Sequence, residues 1–233
     1  MRNALGSWIV VLVVTITAPA GATEAHYIQP NRLDLTKVLS PPPAPTSALH
    51  RRDLAVVLAV QHSRTPAQVQ KALADATAGT FGFRDVLGPN FTMERLPTVA
   101  ALFENVRQDT NNAFVAGQGA WDRKRPFDAS PAVKPVGDKP ASSSYPSGTS
   151  TIAYLTAILL ANMVPEKRAQ LFARGRQFGA RRVVLGVHFP SDVEAGRLAA
   201  TAIAAAIMQD EIFMRDFAVA RAEIRMALGL ASD

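Results

Sequence analysis

Three short clusters in the second half of the chain carry residue types suited to binding and attacking a phosphoryl group. The first is the Arg-Pro pair at 125–126, the second is the segment 145–149 (YPSGT), and the third contains Arg182, His188 and Asp192. Arginine presents a planar fork of donors that matches phosphate oxygens. A Ser-Gly turn that opens a helix offers backbone N–H groups to an anion. The clusters therefore predict a phosphate pocket.

The spacing of His188 and Asp192 is suited to nucleophilic catalysis. A neutral imidazole nitrogen is a good nucleophile near neutral pH once an acceptor fixes the other ring nitrogen. For the pair alone, a structural histidine beside an ordinary helix N-terminal aspartate is the favoured interpretation. A metal site is a weaker alternative, because the pair supplies two ligands and the sequence has no cysteine or second nearby histidine to complete a set. Neither a metal nor a cofactor is predicted.

The elements that must position these residues are predicted to be helices. Thr65, Pro66 and Gln68 form a helix start signal, with a cap, a proline at the first helical position and a capping-box glutamine. No strand pattern of convincing length is present. The sequence therefore predicts an all-α single-domain helical bundle over residues 49–233. The predicted helices cover 54–63, 66 onward, 97–121, 149–163, 165–179, 191–208 and 210–228, with loops at 79–90 and 126–146.

The N-terminal region is predicted to be an export signal followed by an arm. Residues 1–22 have a basic start, an apolar run and an A-x-A cleavage site ending at Ala22, which is typical of a secretory signal peptide. Residues 23–48 are predicted to be an extended, Pro-rich arm on the surface. No later stretch reaches the ~18 apolar residues that a membrane span requires. We therefore expect a periplasmic or secreted protein without stable membrane insertion.

The charge of the chain favours small anionic partners. The net charge is +6, but the basic residues are scattered and lack the blocks or aromatic interleaving of a nucleic-acid binder. We expect phosphoesters or inorganic phosphate as partners and no nucleic acid. The oligomeric state is left open, a homo-oligomer included. With no cysteine in the chain, stability must come from packing rather than from disulfides.

The three clusters, in this order and at these intervals, resemble the signature of the acid phosphatase and haloperoxidase superfamily, also called type 2 phosphatidic acid phosphatases. That signature reads Lys-x6-Arg-Pro, then Pro-Ser-Gly-His, then Ser-Arg-x5-His-x3-Asp. The chain is most similar to the class A bacterial non-specific acid phosphatases, and the resemblance covers most of the chain after the signal. It implies the all-helical fold of that family.

The resemblance implies a role for each matching residue. His188 matches the nucleophile that carries a phosphohistidine, and Asp192 matches its acceptor. Arg125 and Arg182 match the phosphate-binding arginines, and Ser147 with Gly148 matches the phosphate-binding turn. Without the resemblance, either arginine is as readily a solvated surface charge, and Ser147 a plain helix cap. With Arg182 at its matching interval, the functional interpretation of His188 is favoured.

Three positions depart from the signature. Gln118 stands in place of the lysine; it can still donate a hydrogen bond but brings no charge to a phosphate. Lys124, next to Arg125, is a candidate to replace part of that charge, although it would point differently on a helix. Arg181 stands in place of the serine before Arg182. Thr149 replaces the histidine that protonates the leaving oxygen and later activates water, and a threonine hydroxyl cannot do this near neutral pH. Losing one general acid–base residue costs ~10²–10⁴-fold in rate.

Four functions are weighed. The leading one is an exported acid phosphatase that hydrolyses phosphomonoesters through a phosphohistidine on His188, weakened by Thr149. The alternative is a catalytically impaired phosphate- or phosphoester-binding protein of the same fold. A vanadate-dependent haloperoxidase ranks low because that chemistry also uses the lysine and the second histidine. A lipid-phosphate phosphatase ranks low because such enzymes usually need membrane spans.

Overall fold

The computed structural model describes residues 26–28, 32–117 and 120–231, and every regular element in these ranges is a helix. The predicted all-α fold is therefore confirmed. Two short 3₁₀ turns cover Thr80–Phe83 and Pro165–Lys167. The α-helices are α1 (Leu35–Val38), α2 (Ala48–Ser63), α3 (Pro66–Thr77), α4 (Arg84–Leu87), α5 (Pro97–Gly117), α6 (Pro126–Ala129), α7 (Gly148–Met163), α8 (Arg168–Val184), α9 (Pro190–Ile207) and α10 (Glu211–Ala227).

Most predicted helix boundaries agree with the structure, and the differences have physical causes. Thr65 and Gln68 form the predicted capping box at the start of α3. The predicted loop at 79–90 contains a 3₁₀ turn and α4, because Phe83 and Leu87 are drawn into the core. The predicted loop at 126–146 begins with α6, whose first residue is a proline. Helix α5 ends before residue 121, and α8 continues to Val184.

Helix α7 lies at the centre of the bundle. Most of its residues are buried, including Leu155, Leu159 and Leu160. A helix that is apolar nearly all round must be covered on all sides, and α7 packs most extensively against α8 and α9. Its N-terminal end supplies the Ser-Gly-Thr segment of the predicted site, so the site lies at one end of the best-buried element.

Glycines allow α8 and α9 to approach α7 closely. A Cβ atom at Gly196 of α9 would lie 2.6 Å from the carbonyl oxygen of Ser147, and one at Gly175 of α8 would lie 2.8 Å from Cβ of Ala157. Real Cβ atoms do not tolerate such distances. The absence of a side chain at Gly196 therefore fixes how α9 sits against the start of α7, where the two site segments meet.

The described part of the N-terminal arm packs into the domain. Its segment 35–38 is helical rather than extended, and Leu35 and Leu39 are buried. The backbone N–H of Tyr27 donates to Asp109 at 2.6 Å. The predicted signal peptide, residues 1–22, lies outside the described residues. Within the described ranges, no helix is both long and apolar enough to span a bilayer.

Candidate active site

A cleft of about 770 Å³ opens between the end of α5, the loop before α7, the last turn of α8 and the turn before α9. Four of the predicted site residues line it: Arg125, Gly148, Arg182 and His188. Thr149, one of the positions expected from the sequence to depart from the signature, lines it as well. The other two predicted residues, Ser147 and Asp192, are fully buried beneath this surface. The structure therefore brings the three sequence clusters together.

Arg125 is held against the cleft by oxygen atoms of two loops. Its Nε donates to the carbonyl of Ser142 at 2.9 Å, and its Nη1 donates to the carbonyl of Val187 at 2.8 Å. Its Nη2 bonds the Ser142 hydroxyl and the Ser143 carbonyl, both at 3.2 Å. Burial, and then the charge of Arg182, lowers the pKa of this guanidinium. These bonds fix its orientation before any ligand binds.

Arg182 and His188 reach the same cleft because of the turn that ends α8. Gly186 adopts a left-handed conformation with φ of 72°. Its N–H donates to the carbonyl of Val183 at 2.9 Å, and the N–H of Val187 donates to the carbonyl of Arg182 at 3.2 Å. This is the Schellman pattern of helix termination. The chain reverses there, and α9 begins at Pro190, directly after the histidine.

The Arg182 guanidinium is suited to receive an anion. Its buried Nε has no hydrogen-bond partner among the described residues. Burial lowers its pKa, and the charge of Asp138 opposes that shift. Leaving a buried donor unpaired costs about 1–3 kcal/mol. The side chain lines the cleft, so its positive charge faces an anion bound there, whereas the donors of Arg125 already have protein partners.

The two ring nitrogens of His188 have different environments. Nδ1 lies 2.9 Å from the carbonyl oxygen of Ser144. A carbonyl only accepts, so Nδ1 carries the proton and Nε2 carries the lone pair. Nε2 lies 3.2 Å from Nη1 of Arg125. Burial lowers the pKa of His188, and the charges of Arg125 and Arg182 lower it further against the opposing effect of Asp192. The imidazole is therefore neutral at neutral pH, with its lone pair on the nitrogen beside Arg125.

Asp192 lies behind the imidazole rather than acting as its sole acceptor. Its Oδ2 is 3.5 Å from Nδ1 of His188, farther than the Ser144 carbonyl. The same oxygen accepts from the Ser144 hydroxyl at 2.6 Å and from the Phe189 N–H at 2.8 Å. Ser144 therefore contacts both members of the pair. Sequence reasoning missed it, because a backbone carbonyl has no signature in a motif.

Arg123 was also missed. Its Nη1 lies 2.5 Å from Oδ1 of Asp192, and the side chain is buried. In the sequence it stands in a run of charged residues, 122–125, in which nothing in its type distinguishes it from its neighbours. The signal available was its position two residues before Arg125.

The start of α7 presents its first turn to the cleft. Ser147 is the N-cap, and its hydroxyl accepts from the N–H of Ser150 at 3.3 Å. The first N–H groups of a helix have no partner within it, and Gly148 and Thr149 supply two of them. No atom lies within 4 Å of the place where a Gly148 side chain would begin. An anion can therefore approach this backbone directly.

The remaining positions noted in the sequence lie elsewhere. Gln118 is outside the described residues, and Lys124 is exposed and does not line the cleft. Arg181 forms an ion pair with Asp75, which also binds Arg174 at 2.7 Å. Of the two adjacent arginines, Arg182 is thus the one in the cleft.

The other three histidines are not in the cleft. The ring of His26 bonds the Gln108 side chain at 3.0 Å, that of His50 packs on Phe189 with centroids 5.2 Å apart, and His62 is exposed. Among the cleft-lining residues that the structure describes, Asp122 alone carries a carboxyl group. In the described ranges, no cluster of three histidine or acidic side chains is arranged to hold a metal ion.

Comparisons with known proteins identify the family of this chain. Residues 110–213, which contain all three clusters, match the model of the PAP2 superfamily. An acid phosphatase of Zymomonas mobilis is 30% identical over 197 residues, covering 81% of this chain and 75% of the relative. A non-specific acid phosphatase of Providencia stuartii is 27% identical over 210 residues, covering 86% and 85%.

A solved structure shares the fold. It is a transmembrane PAP2-type phosphatidylglycerolphosphate phosphatase from Bacillus subtilis, with a TM-score of 0.50 and 18% identity over 70% of this chain and 86% of that one. At this identity the likeness concerns the fold alone.

The chain belongs to the PAP2 superfamily. Within it, the homologues named acid phosphatases place the chain among the phosphoric monoester hydrolases, which confirms the family and the enzyme class expected from the sequence.

Proposed function

We propose that this protein is an exported acid phosphatase that hydrolyses phosphomonoesters through a covalent intermediate on His188. Nε2 attacks phosphorus, the bond to the leaving oxygen breaks, and water then cleaves the phosphorus–nitrogen bond to release phosphate. Arg125, Arg182 and the backbone N–H groups of Gly148 and Thr149 hold the phosphoryl oxygens. The proton stays on Nδ1, which donates it to the Ser144 carbonyl in a hydrogen bond throughout the attack.

One observation carries the proposal. The neutral His188 presents its lone pair in the same cleft as Arg182, whose Nε lacks a partner among the described residues. A nucleophile and a positively charged side chain that line one space are what phosphoryl transfer requires, because catalysis there is mainly positioning and charge stabilisation. A structural histidine would need neither a cleft nor an unpaired arginine beside it.

Proton transfer is the weak step of the proposed reaction. Thr149 lines the cleft where the family signature has a histidine, and its hydroxyl cannot protonate an alkoxide near neutral pH. Both half-reactions are affected, because the same group would protonate the leaving oxygen and then deprotonate water. The enzyme should therefore prefer esters whose leaving group departs without a proton.

Purified protein assayed against a series of phosphoesters, graded by leaving-group acidity, tests the function. We expect hydrolysis of aryl phosphates by the wild type and none by His188→Ala. His62→Ala is a matched control, because that histidine is exposed and remote from the cleft. Activity that survives His188→Ala would refute the nucleophile.

The second candidate function is a phosphate- or phosphoester-binding protein. Thr149 favours it because a threonine hydroxyl cannot carry out the proton transfers that turnover requires. This function predicts that phosphate or vanadate binds with no turnover of any ester, in both the wild type and Thr149→His. Calorimetry beside the activity assay separates the two functions.

Export is part of the proposal, supported by the basic start, apolar run and Ala20-Gly21-Ala22 site of residues 1–22. The exported protein should begin near Thr23 when measured by mass spectrometry. Recovery of the uncleaved chain from the membrane fraction would contradict it.

A further inference from the structure

A line of buried charges lies behind His188. The Arg123 guanidinium sits between two carboxylates, with Nη1 2.5 Å from Oδ1 of Asp192 and Nη2 2.8 Å from Oδ2 of Asp53. The side chains of the three residues are at most 5% exposed. Ser191 joins the same group, because its hydroxyl accepts from Arg123 at 2.7 Å and bonds Asp53.

These charges come from three distant parts of the chain. Asp53 lies on α2, Arg123 lies in the segment after α5, and Asp192 lies in the first turn of α9. The guanidinium also stacks on Phe189, with Cζ 4.2 Å from the ring centroid. Buried ion pairs give little net stability, because removing the charges from water offsets their attraction. A role in the chemistry of the neighbouring site explains the arrangement better than stability does.

We propose that Asp53 and Arg123 are positioning residues for the reaction, which fix the orientation and the charge of Asp192 and through it the basicity of His188. This inference rests on the proposed function. Neither residue lines the cleft, so neither contacts the substrate. Asp192 is within 3.5 Å of the imidazole, and Arg123 saturates the carboxylate oxygen that faces away from it.

The charge balance around the imidazole gives the expected direction of each effect. Behind the ring, two carboxylates and one guanidinium leave a net charge of −1. In front of it, Arg125 and Arg182 are both positive and lower the pKa of His188. His50 packs on Phe189 nearby, and burial, with the charge of Arg123, lowers its pKa, so it adds no charge near neutrality.

Removing the charge of Asp53 alone therefore leaves Arg123 and Asp192, whose charges sum to zero. In Asp53→Asn the protonated imidazole loses a stabilising negative charge. For charges roughly 10 Å apart at an effective dielectric constant of about 20, this lowers the pKa of His188 by roughly one unit. The acid limb of the kcat/KM profile should move to lower pH by that amount. We expect kcat to fall roughly three- to tenfold with a less basic nucleophile, and KM to stay unchanged.

The double variant Asp53→Asn/Arg123→Met should not show this shift of the acid limb to lower pH. It also removes the nearer positive charge, so that Asp192 acts on the imidazole without compensation. The acid limb should then lie at or above its wild-type position, with kcat still reduced because Asp192 has lost its anchor. This variant keeps the test decisive if Asp53→Asn alone fails to fold. Glu166→Gln, which removes one of the partners of the buried Arg225 elsewhere in the bundle, is the control and should leave the profile unchanged.

A titration separates failure of this inference from failure of the proposed function. The His188 ring signals, assigned by their loss in His188→Ala, report its pKa by NMR whether or not the protein turns over. A lowered pKa in the single variant, together with a pKa at or above that of the wild type in the double variant, supports the positioning role. An unchanged pKa and an unchanged kcat in both folded variants would overturn it. If that result came together with loss of activity in His188→Ala, the proposed function would still hold and only the positioning role would fail.

Discussion

Under the proposed function, Thr149→His should supply the general acid–base group that the signature places at this position. The structure has room for the larger side chain, because Thr149 lines the main cleft and also an adjoining cavity of about 210 Å³. The imidazole would project from the first turn of α7 beside the leaving oxygen. A general acid is worth ~10²–10⁴-fold in rate, which corresponds to about 3–5 kcal/mol of barrier.

The gain should depend on the leaving group. A phenol has a pKa of about 10, whereas an aliphatic alcohol is nearly as weak an acid as water, whose pKa is about 15.7. A phenolate can depart unaided, and an alkoxide cannot. We therefore expect Thr149→His to raise kcat/KM on alkyl phosphates by ~10²-fold or more and on aryl phosphates by less than about tenfold.

The assay compares the slope of log kcat/KM against leaving-group pKa for the wild type and the variant. The slope should be steep in the wild type and flatter in Thr149→His, and Thr149→Ser is the matched control because it keeps a hydroxyl. Equal rates on alkyl and aryl esters in the wild type would refute the reasoning. The proton would then come from another group, and the carboxyl of Asp122 is the first to test.

Three further outcomes are expected. Activity should fall as the pH decreases through the lowered pKa of His188, because the protonated ring has no lone pair, so the acid limb of kcat/KM lies below about pH 6.5. Arg182→Ala should weaken phosphate or vanadate binding by roughly 10- to 100-fold in calorimetry, since charge-assisted hydrogen bonds are worth about 1.5–3 kcal/mol, and equal affinities would contradict this. Gly196→Ala should destabilise the fold by about 1–3 kcal/mol in denaturant melts, because its Cβ would meet the carbonyl of Ser147.

The sequence predicted the helices well because their signals are local. The capping box of Thr65 and Gln68 and the apolar run of α7 depend on residues close together in the chain. The short elements were missed for the opposite reason. Phe83 and Leu87 form helical turns because they are packed into a core built by distant helices, and local propensity does not register that.

The residues of the candidate site likewise fall into those that the sequence predicted and those that it did not. Arg125, Arg182 and His188 were found because their types, order and spacing together match the signature of a known family. Ser144 and Asp53 were not, because each matters through contacts with residues far away in the chain: His188 is 44 residues from Ser144, and Arg123 is 70 residues from Asp53. A motif lists the groups that meet the substrate, whereas the groups that hold them are chosen by the three-dimensional fold.

The threonine at position 149 also predicts the relative rates of the two half-reactions of the proposed mechanism. With an aryl ester the first step needs little proton transfer, so His188 should be phosphorylated quickly. The second step requires water to lose a proton to a group that Thr149 cannot replace, and it should be slower by ~10²–10⁴-fold than with a histidine there. The phosphoenzyme should therefore accumulate, and stopped-flow measurement should show a burst of phenolate close to one equivalent per site. Thr149→His should shrink this burst while raising the steady rate, and His188→Ala should abolish both. Linear release from the first turnover in the wild type would mean that dephosphorylation is not limiting, and that water is activated by a group other than residue 149.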